Sequence, residues 1–169
     1  MGDPRKIKRK YSTPSHLWQK ARIDDERALI TEYGLSNKRE IWKASSQLKT
    51  FTSQAKRLIA EKTLQSGRES EQLLSRLSSL GLLRSRSLES VLDITIKNIL
   101  DRRLQSLLVR KSLARTSSQS RQMITHSHVV VGNRKVTSPS YLVRTDEEDK
   151  IGFAEKSPFA KAGHPERAV

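Results

Sequence analysis

One stretch constrains the fold more than any other: Ile41, Ala44, Leu48, Phe51, Ala55 and Leu58 recur at intervals of three and four. That spacing places six apolar side chains on one side of an α-helix, which must then pack against a partner. Asn37 suits the N-cap, and Glu40 reaching back to it would complete a capping box. Lys43, Lys49, Lys56 and Arg57 lie off the stripe, facing either solvent or a nucleic acid.

The flanking segments are helical as well. A helix is expected over 15–33, with Trp18, Ala21, Ala28, Leu29 and Tyr33 at loosely helical spacing and Gly34 at its C′ position. Another is expected between Gly67 and Gly81, burying Leu73, Leu74, Leu77 and Leu80. After a polar break at 85–87, residues 87–92 suit one or two turns, and Thr95 caps a helix to about residue 103. Leu104, Leu107 and Leu108 continue a helical apolar face. Thr116-Ser117-Ser118-Gln119 reads as a capping box opening a helix to about residue 126.

The period then changes to that of a strand. Val129-Val130-Val131 meets Gly132-Asn133, suited to a type II′ hairpin turn, and Arg134-Lys135-Val136 returns. Beyond Ser138-Pro139-Ser140, Tyr141-Leu142-Val143 is a further candidate strand, and the acidic run 146–149 turns the chain into residues 150–153. The expected class is α+β. A helical domain (15–101) precedes a small module (102–153) with a helix pair packed on short antiparallel strands. A basic arm (1–14) and an extended tail (154–169) flank them.

Charge narrows the partners. Lys and Arg number 33 against 18 Asp and Glu, a formal net charge of +15. Such an excess repels itself and calls for a polyanion, nucleic acid first and an anionic membrane surface second. No apolar run approaches the ~20 residues of a spanning helix. The basic cluster in residues 1–10 has no apolar segment behind it, as a secretory signal would. Cysteine is absent, which excludes disulfides, thiolate zinc sites and a cysteine nucleophile. A cytoplasmic protein is expected. With 34% hydrophobic and 5% aromatic residues, the chain can build small cores only, and parts of it should order on a partner.

The distribution of charge is more telling than its sum. Arg5, Lys6, Lys8, Arg9 and Lys10 stand against Asp3 alone, an arm suited to phosphates. From Arg102 to Thr145 there is no acidic residue, yet the stretch holds Arg102, Arg103, Arg110, Lys111, Arg115, Arg121, Arg134, Lys135 and Arg144. A solvated face usually mixes signs. The helix opening at Thr116 adds backbone N–H groups and the positive end of its dipole. Arg115 sits just before it, and Arg121 and Gln122 one turn further in. Guanidinium forks and an amide would there meet a sugar-phosphate backbone. Replacing Arg121 with Ala is expected to weaken RNA binding and lower its salt slope by about one counterion.

The segment from Arg102 to Val143, with Ala114-Arg115-Thr116, Ser120-Arg121-Gln122-Met123-Ile124, His126-Ser127-His128-Val129 and Pro139-Ser140, resembles the S-four (S4) RNA-binding module. Met1-Gly2-Asp3-Pro4, Lys10-Tyr11, Pro14, His16, Trp18, Tyr33-Gly34-Leu35 and Asn37-Lys38-Arg39-Glu40-Ile41-Trp42 resemble the archaeal form of the small-subunit ribosomal family that carries it. Together the two resemblances cover nearly the whole chain. Ser127 and Ser112 stand where the family pattern has Gly, Ser120 where it has Ala, and Gly132-Asn133 reverses its Asn-Gly turn. The usual Pro is missing from His16-Leu17-Trp18.

The resemblance implies a structural protein of the small ribosomal subunit that binds ribosomal RNA directly at a multi-helix junction. It implies a role in nucleating assembly of the subunit body and a bearing on decoding accuracy. Partners would be small-subunit ribosomal RNA, neighbouring ribosomal proteins and messenger RNA where it enters, with no membrane and no homo-oligomer. The RNA-facing set would comprise Arg5, Lys6, Lys8, Arg9, Lys10, Arg102, Arg103, Arg110, Lys111, Arg115, Thr116, Gln119, Arg121, Gln122, His126, His128, Asn133, Arg134 and Lys135. Such a surface reads shape, phosphates and 2′-hydroxyls. No cofactor and no zinc are expected.

Other chemistry finds weaker support. His126 and His128 could share a strand face as metal ligands, but with no third ligand nearby one phosphate contact and one packed ring fit better. Asp146-Glu147-Glu148-Asp149 could hold Mg²⁺, though a solvated turn accounts for it. Asp24-Asp25-Glu26 is expected on an exposed helix face rather than as an acid–base pair. No Gly-rich phosphate loop and no catalytic triad stands out, so the chain is not expected to be an enzyme. Two alternatives are an RNA-modifying enzyme, for which the helical half leaves no α/β domain, and a free RNA-binding factor of ribosome quality control or stress.

Overall fold

A computed structural model describes residues 9, 11–61, 63–83 and 85–160. Along them run α1 (Lys20–Tyr33), α2 (Lys38–Ala60), α3 (Leu64–Ser79), α4 (Leu88–Leu92), α5 (Ile96–Asp101), α6 (Leu104–Arg110), α7 (Ser117–Thr125), β1 (Val129–Val131), β2 (Arg134–Lys135), α8 (Thr145–Glu148) and β3 (Ile151–Phe153). The class is α+β, mostly helical with one small antiparallel sheet.

The stripe on α2 organises the first core. Ile41, Ala44, Phe51, Ala55 and Leu58 are buried and Leu48 half-buried, against Leu73 and Leu77 of α3, Val91 of α4 and Ile99 and Leu100 of α5. Burying each such leucine contributes about 2 kcal/mol. Helix α3 starts before Gly67, at a reciprocal cap in which Thr63 and Ser66 exchange side-chain-to-backbone bonds of 3.0 and 3.1 Å. Glycines end α1 and α3 as expected: Gly34 and Gly81 lie at φ 57° and 65°, where only glycine is unstrained.

A second core fills the module. Leu104, Leu107 and Leu108 of α6 meet Met123 and Ile124 of α7, and the pair covers Val129 and Val143. The sheet has order β2-β1-β3, antiparallel throughout. Val131 pairs with Arg134, which leaves Gly132-Asn133 as a two-residue turn. Gly132 has φ 60° while Asn133 stays at negative φ, as type II′ demands.

Several expectations need correction. Helix α1 begins at Lys20, so Trp18 lies outside it and is 90% exposed. Asn37 makes no side-chain cap, its Nδ2 donating to the Ser36 hydroxyl at 3.3 Å, and Glu40 does not reach back because it is drawn to Ser36, Arg103 and Arg121. Glu26 does not face solvent with Asp24 and Asp25. It is 5% exposed, accepts the Trp42 indole N–H at 2.9 Å and pairs with Arg22 and, at 3.5 Å, with Lys38. Burial opposes its charge, but those donors outweigh it and hold the carboxyl below the usual range. Tyr141-Leu142-Val143 joins no sheet; only Leu142 bridges to Arg103. Residues 158–160 form a 3-10 turn instead of an extended tail, with Phe159 packed on the module core. The arm positions Arg5, Lys6, Lys8 and Lys10, and the tail beyond residue 160, lie outside the described residues.

Candidate nucleic-acid interface

The module's arginines divide by depth. Arg102 is 8% and Arg103 5% exposed. Arg102 donates to Glu148 of α8 at 2.7 Å and to the Val143 carbonyl at 3.1 Å. Arg103, at the N-cap of α6, pairs with Glu40 of α2. Arg121 points to the same carboxylate, with Nη2 at 2.6 Å from Glu40 Oε1 and 3.0 Å from the Ser36 hydroxyl, and Nη1 at 3.2 Å from Gln105 Oε1. The expectation of an RNA-facing guanidinium at 102 and 103 is thereby corrected. Their charge is taken up inside the protein, where a buried cation must be paired.

Glu40 is the centre of this joint. Burial alone would raise its carboxyl, but the hydrogen bonds from Arg121 and Arg103, the Arg103 charge and the Ser36 hydroxyl lower it to about 2. Beside it Gln105, 1% exposed, donates to the carbonyls of Tyr33 (3.1 Å), Gly34 (3.1 Å) and Ser117 (2.9 Å). One amide therefore ties the end of α1 to the start of α7. Ser120, fully buried where the family pattern has Ala, donates to the Gln105 carbonyl at 2.8 Å. Tyr33 donates to Asp101 at 3.0 Å, and burial followed by that carboxylate pushes its phenol pKa up. Every strong donor at the joint spans the two halves or braces a group that does.

The outward side differs. On α7, Ser118, Gln122 and Thr125 are exposed, and His126 follows them at the C-cap, a stripe of i, i+4, i+7 and i+8. Arg121 and Gln122, expected to act together, are turned apart by the helix. Thr116 caps α7 by accepting the Gln119 N–H at 3.2 Å, and Gln119 Oε1 accepts the Arg115 N–H at 2.8 Å. Arg115, Thr116, Asn133, Arg134 and Lys135 are exposed, as is Arg9 of the arm. Arg110 stands 3.7 Å from Asp101, half in solvent. Lys111 is bonded to the Glu148 carbonyl and lies 3.4 Å from Asp149.

The histidines also part company. His126 is exposed, whereas His128 Nδ1 lies 3.1 Å from the Ser157 hydroxyl and its ring meets Phe159 edge-on at 5.1 Å. Ser127 between them adopts φ 64°, and Ser112 φ 55°. Both serines occupy left-handed positions that glycine fills without strain. The acidic run is no merely solvated turn: Glu147 accepts from Tyr141 and Glu148 from Arg102.

Sequence reasoning missed Gln105 and the joint role of Glu40. A lone amide in the apolar run Leu104 to Leu108 was the available signal for the first. Nothing local marked the second.

Comparison with known proteins settles the lineage. The S4 domain model matches residues 102–149. A Methanococcus vannielii protein named small ribosomal subunit protein uS4 is 46% identical over 171 aligned positions, covering 100% of this chain and 96% of that relative. Relatives of the same name are 46% identical in Methanococcus aeolicus, over 99% of this chain and 96% of theirs, and 45% in Methanococcus maripaludis strain C7, over 100% and 96%. The chain belongs to the uS4 family. As a uS4 protein it is not an enzyme. Within this uS4 chain the S4 match begins at Arg102 and stops short of β3, while Glu40 lies wholly outside it.

Proposed function

We propose that this chain is a structural constituent of the small ribosomal subunit that binds small-subunit ribosomal RNA directly and acts in the cytoplasm. It helps nucleate the subunit body, contacts neighbouring ribosomal proteins and messenger RNA where it enters, and bears on decoding accuracy. The observation that carries RNA binding is the exposed side of the module. Arg115, Thr116, Gln122 and His126 of the helix pair and Asn133, Arg134 and Lys135 of the hairpin stand in solvent. The α7 N-terminus adds its dipole. Cations and neutral donors without intervening carboxylates suit backbone phosphates and 2′-hydroxyls.

Filter binding to small-subunit ribosomal RNA across salt, against an unrelated structured RNA, tests the reading. Selective binding with a steep salt slope is the expected result. Equal affinity for both RNAs would sink it and advance a free RNA-binding factor instead.

A further inference from the structure

The turn between α2 and α3 carries exposed apolar surface that the fold does not use. Leu64, the first residue of α3, is 94% exposed, more than any other large apolar side chain among the described residues. Ile59, in the last turn of α2, is 43% exposed, and Ala60 beside it is exposed too. All three flank residues 61–63. The projection is held in shape: Thr63 and Ser66 cap one another, and the Ser66 hydroxyl donates to the Glu61 carbonyl at 2.7 Å. A surface ordered in this way loses little further entropy when it docks. Gly67 adds a second observation. It follows Leu64 by three positions, so the two share a side of α3. A Cβ there would meet nothing within 4 Å, so no neighbour in the chain requires the glycine. Glycine inside a helix is destabilising relative to alanine, and here a poor helix former sits where any side chain would fit. What a missing Cβ supplies on an open helix surface is close approach by another molecule.

Charge decides the kind of partner. Residues 54–72 hold the four cations Lys56, Arg57, Lys62 and Arg68 against the three carboxylates Glu61, Glu69 and Glu71. Arg57 and Glu69 are themselves paired across the two helices at 2.7 Å. This near balance contrasts with 33 cations against 18 carboxylates in the whole chain and with the acid-free stretch of the module. Phosphates gain little from such a surface. Interleaved signs around an apolar centre suit the rim of a protein interface instead.

Taking the reading of the chain as a small-subunit constituent as its basis, we propose that the α2–α3 turn docks a neighbouring ribosomal protein. That partner presents an apolar patch rimmed by both signs of charge. Leu64 and Ile59 are the apolar anchors, and Gly67 is the point of close approach. None of these residues belongs to the RNA-facing set.

The chain has no cysteine, so Leu64→Cys introduces a single thiol into the full-length protein. Labelling by N-ethylmaleimide is read on this chain's own peptide in three states: the free chain, the chain on small-subunit ribosomal RNA alone, and small subunits isolated from cells that make it. Position 64 should react alike in the first two states and on the order of tenfold more slowly in the third. Equal reactivity in the subunit overturns the proposal, and so does protection by the RNA alone. Benzoylphenylalanine in place of the exposed Gln65 then identifies what covers the turn. An adduct with a second ribosomal protein is the expected result, whereas an adduct with RNA or with another copy of this chain rules the docking out. Gly67→Gln separates docking from a structural role. With open room around it, the variant should melt about 2 °C higher, yet lose to the wild-type chain in competition for places in small subunits. Equal incorporation would deny Gly67 its part in the contact and count against the docking. The two readings fail distinguishably. A wild-type chain absent from small subunits removes the functional reading and the docking with it, while a chain present there with a reactive position 64 removes the docking alone.

Discussion

The inward and outward cations of the module come from one acid-free stretch and share the same chemistry, yet the fold uses them in opposite ways. Arg102, Arg103 and Arg121 meet carboxylates brought from elsewhere, Glu148 for the first and Glu40 for the other two. Arg134 and Lys135 on the hairpin remain in solvent. Arg103 and Arg121 spend their charge on joining the two cores, Arg102 spends its charge inside the module, and the outward set keeps its charge for a partner. A run of like charges therefore marks a basic domain, but it does not say which members are available to a ligand.

The strongest way to break this division is Glu40→Gln. It leaves two guanidinium groups short of a counter-charge in a mostly buried joint, and should cost on the order of 3 kcal/mol in urea unfolding. The same residue predicts an acid limb. Its carboxyl falls from 4.5 to about 2 in the folded chain, so the unfolded chain binds the extra proton between those values. The stabilisation is therefore complete above pH 4.5 and is lost as pH falls toward 2. The Gln variant should flatten that limb. An unaltered acid limb would show that the pair contributes nothing to stability.

Gly34→Ala tests the joint by shape alone. A Cβ at φ 57° would come within 2.7 Å of the Ser117 Cβ, and a loss of about 2 kcal/mol is expected by thermal melting. The sharpest contrast compares Arg103→Ala with Arg134→Ala, Lys135→Ala. The first should lower stability and leave the salt slope of RNA binding nearly unchanged. The second should leave the melting temperature intact and lower the slope by almost two counterions. Exchange of these two outcomes would mean that depth does not separate structural from RNA-facing cations. The smallest effect is expected from Ser127→Gly, which relieves a left-handed serine and should raise stability by up to about 1 kcal/mol. No gain would mean that the unfolded-state entropy of glycine offsets the relief.

Much of the frame was legible in the sequence because it depends on short-range regularities. The α2 stripe, the Gly34 and Gly81 ends, the Thr116 cap and the two-residue hairpin turn each involve residues within a few positions of one another. The errors share a cause too. Local neighbours suggest a capping role for Glu40, whereas two guanidinium groups compete better for a carboxylate than one backbone N–H. Spacing alone places Trp18 on a helix, since it cannot tell an apolar side chain that finds a core from one that does not. The burial of Glu26 is not legible locally, since Trp42, which donates to it, lies sixteen positions away.

What the sequence determined by itself is the list of helices, their caps, the β1–β2 hairpin, and a large positive excess concentrated in an acid-free module. Backbone torsion preferences and side-chain periodicity act over a few residues, so one strand of text suffices for them. What only the tertiary structure decided is which cations are spent and which are offered. Arg103 and Arg121 reach Glu40 across 63 and 81 positions. Electrostatic pairing depends on distance and burial in space, and chain folding alone brings those groups together.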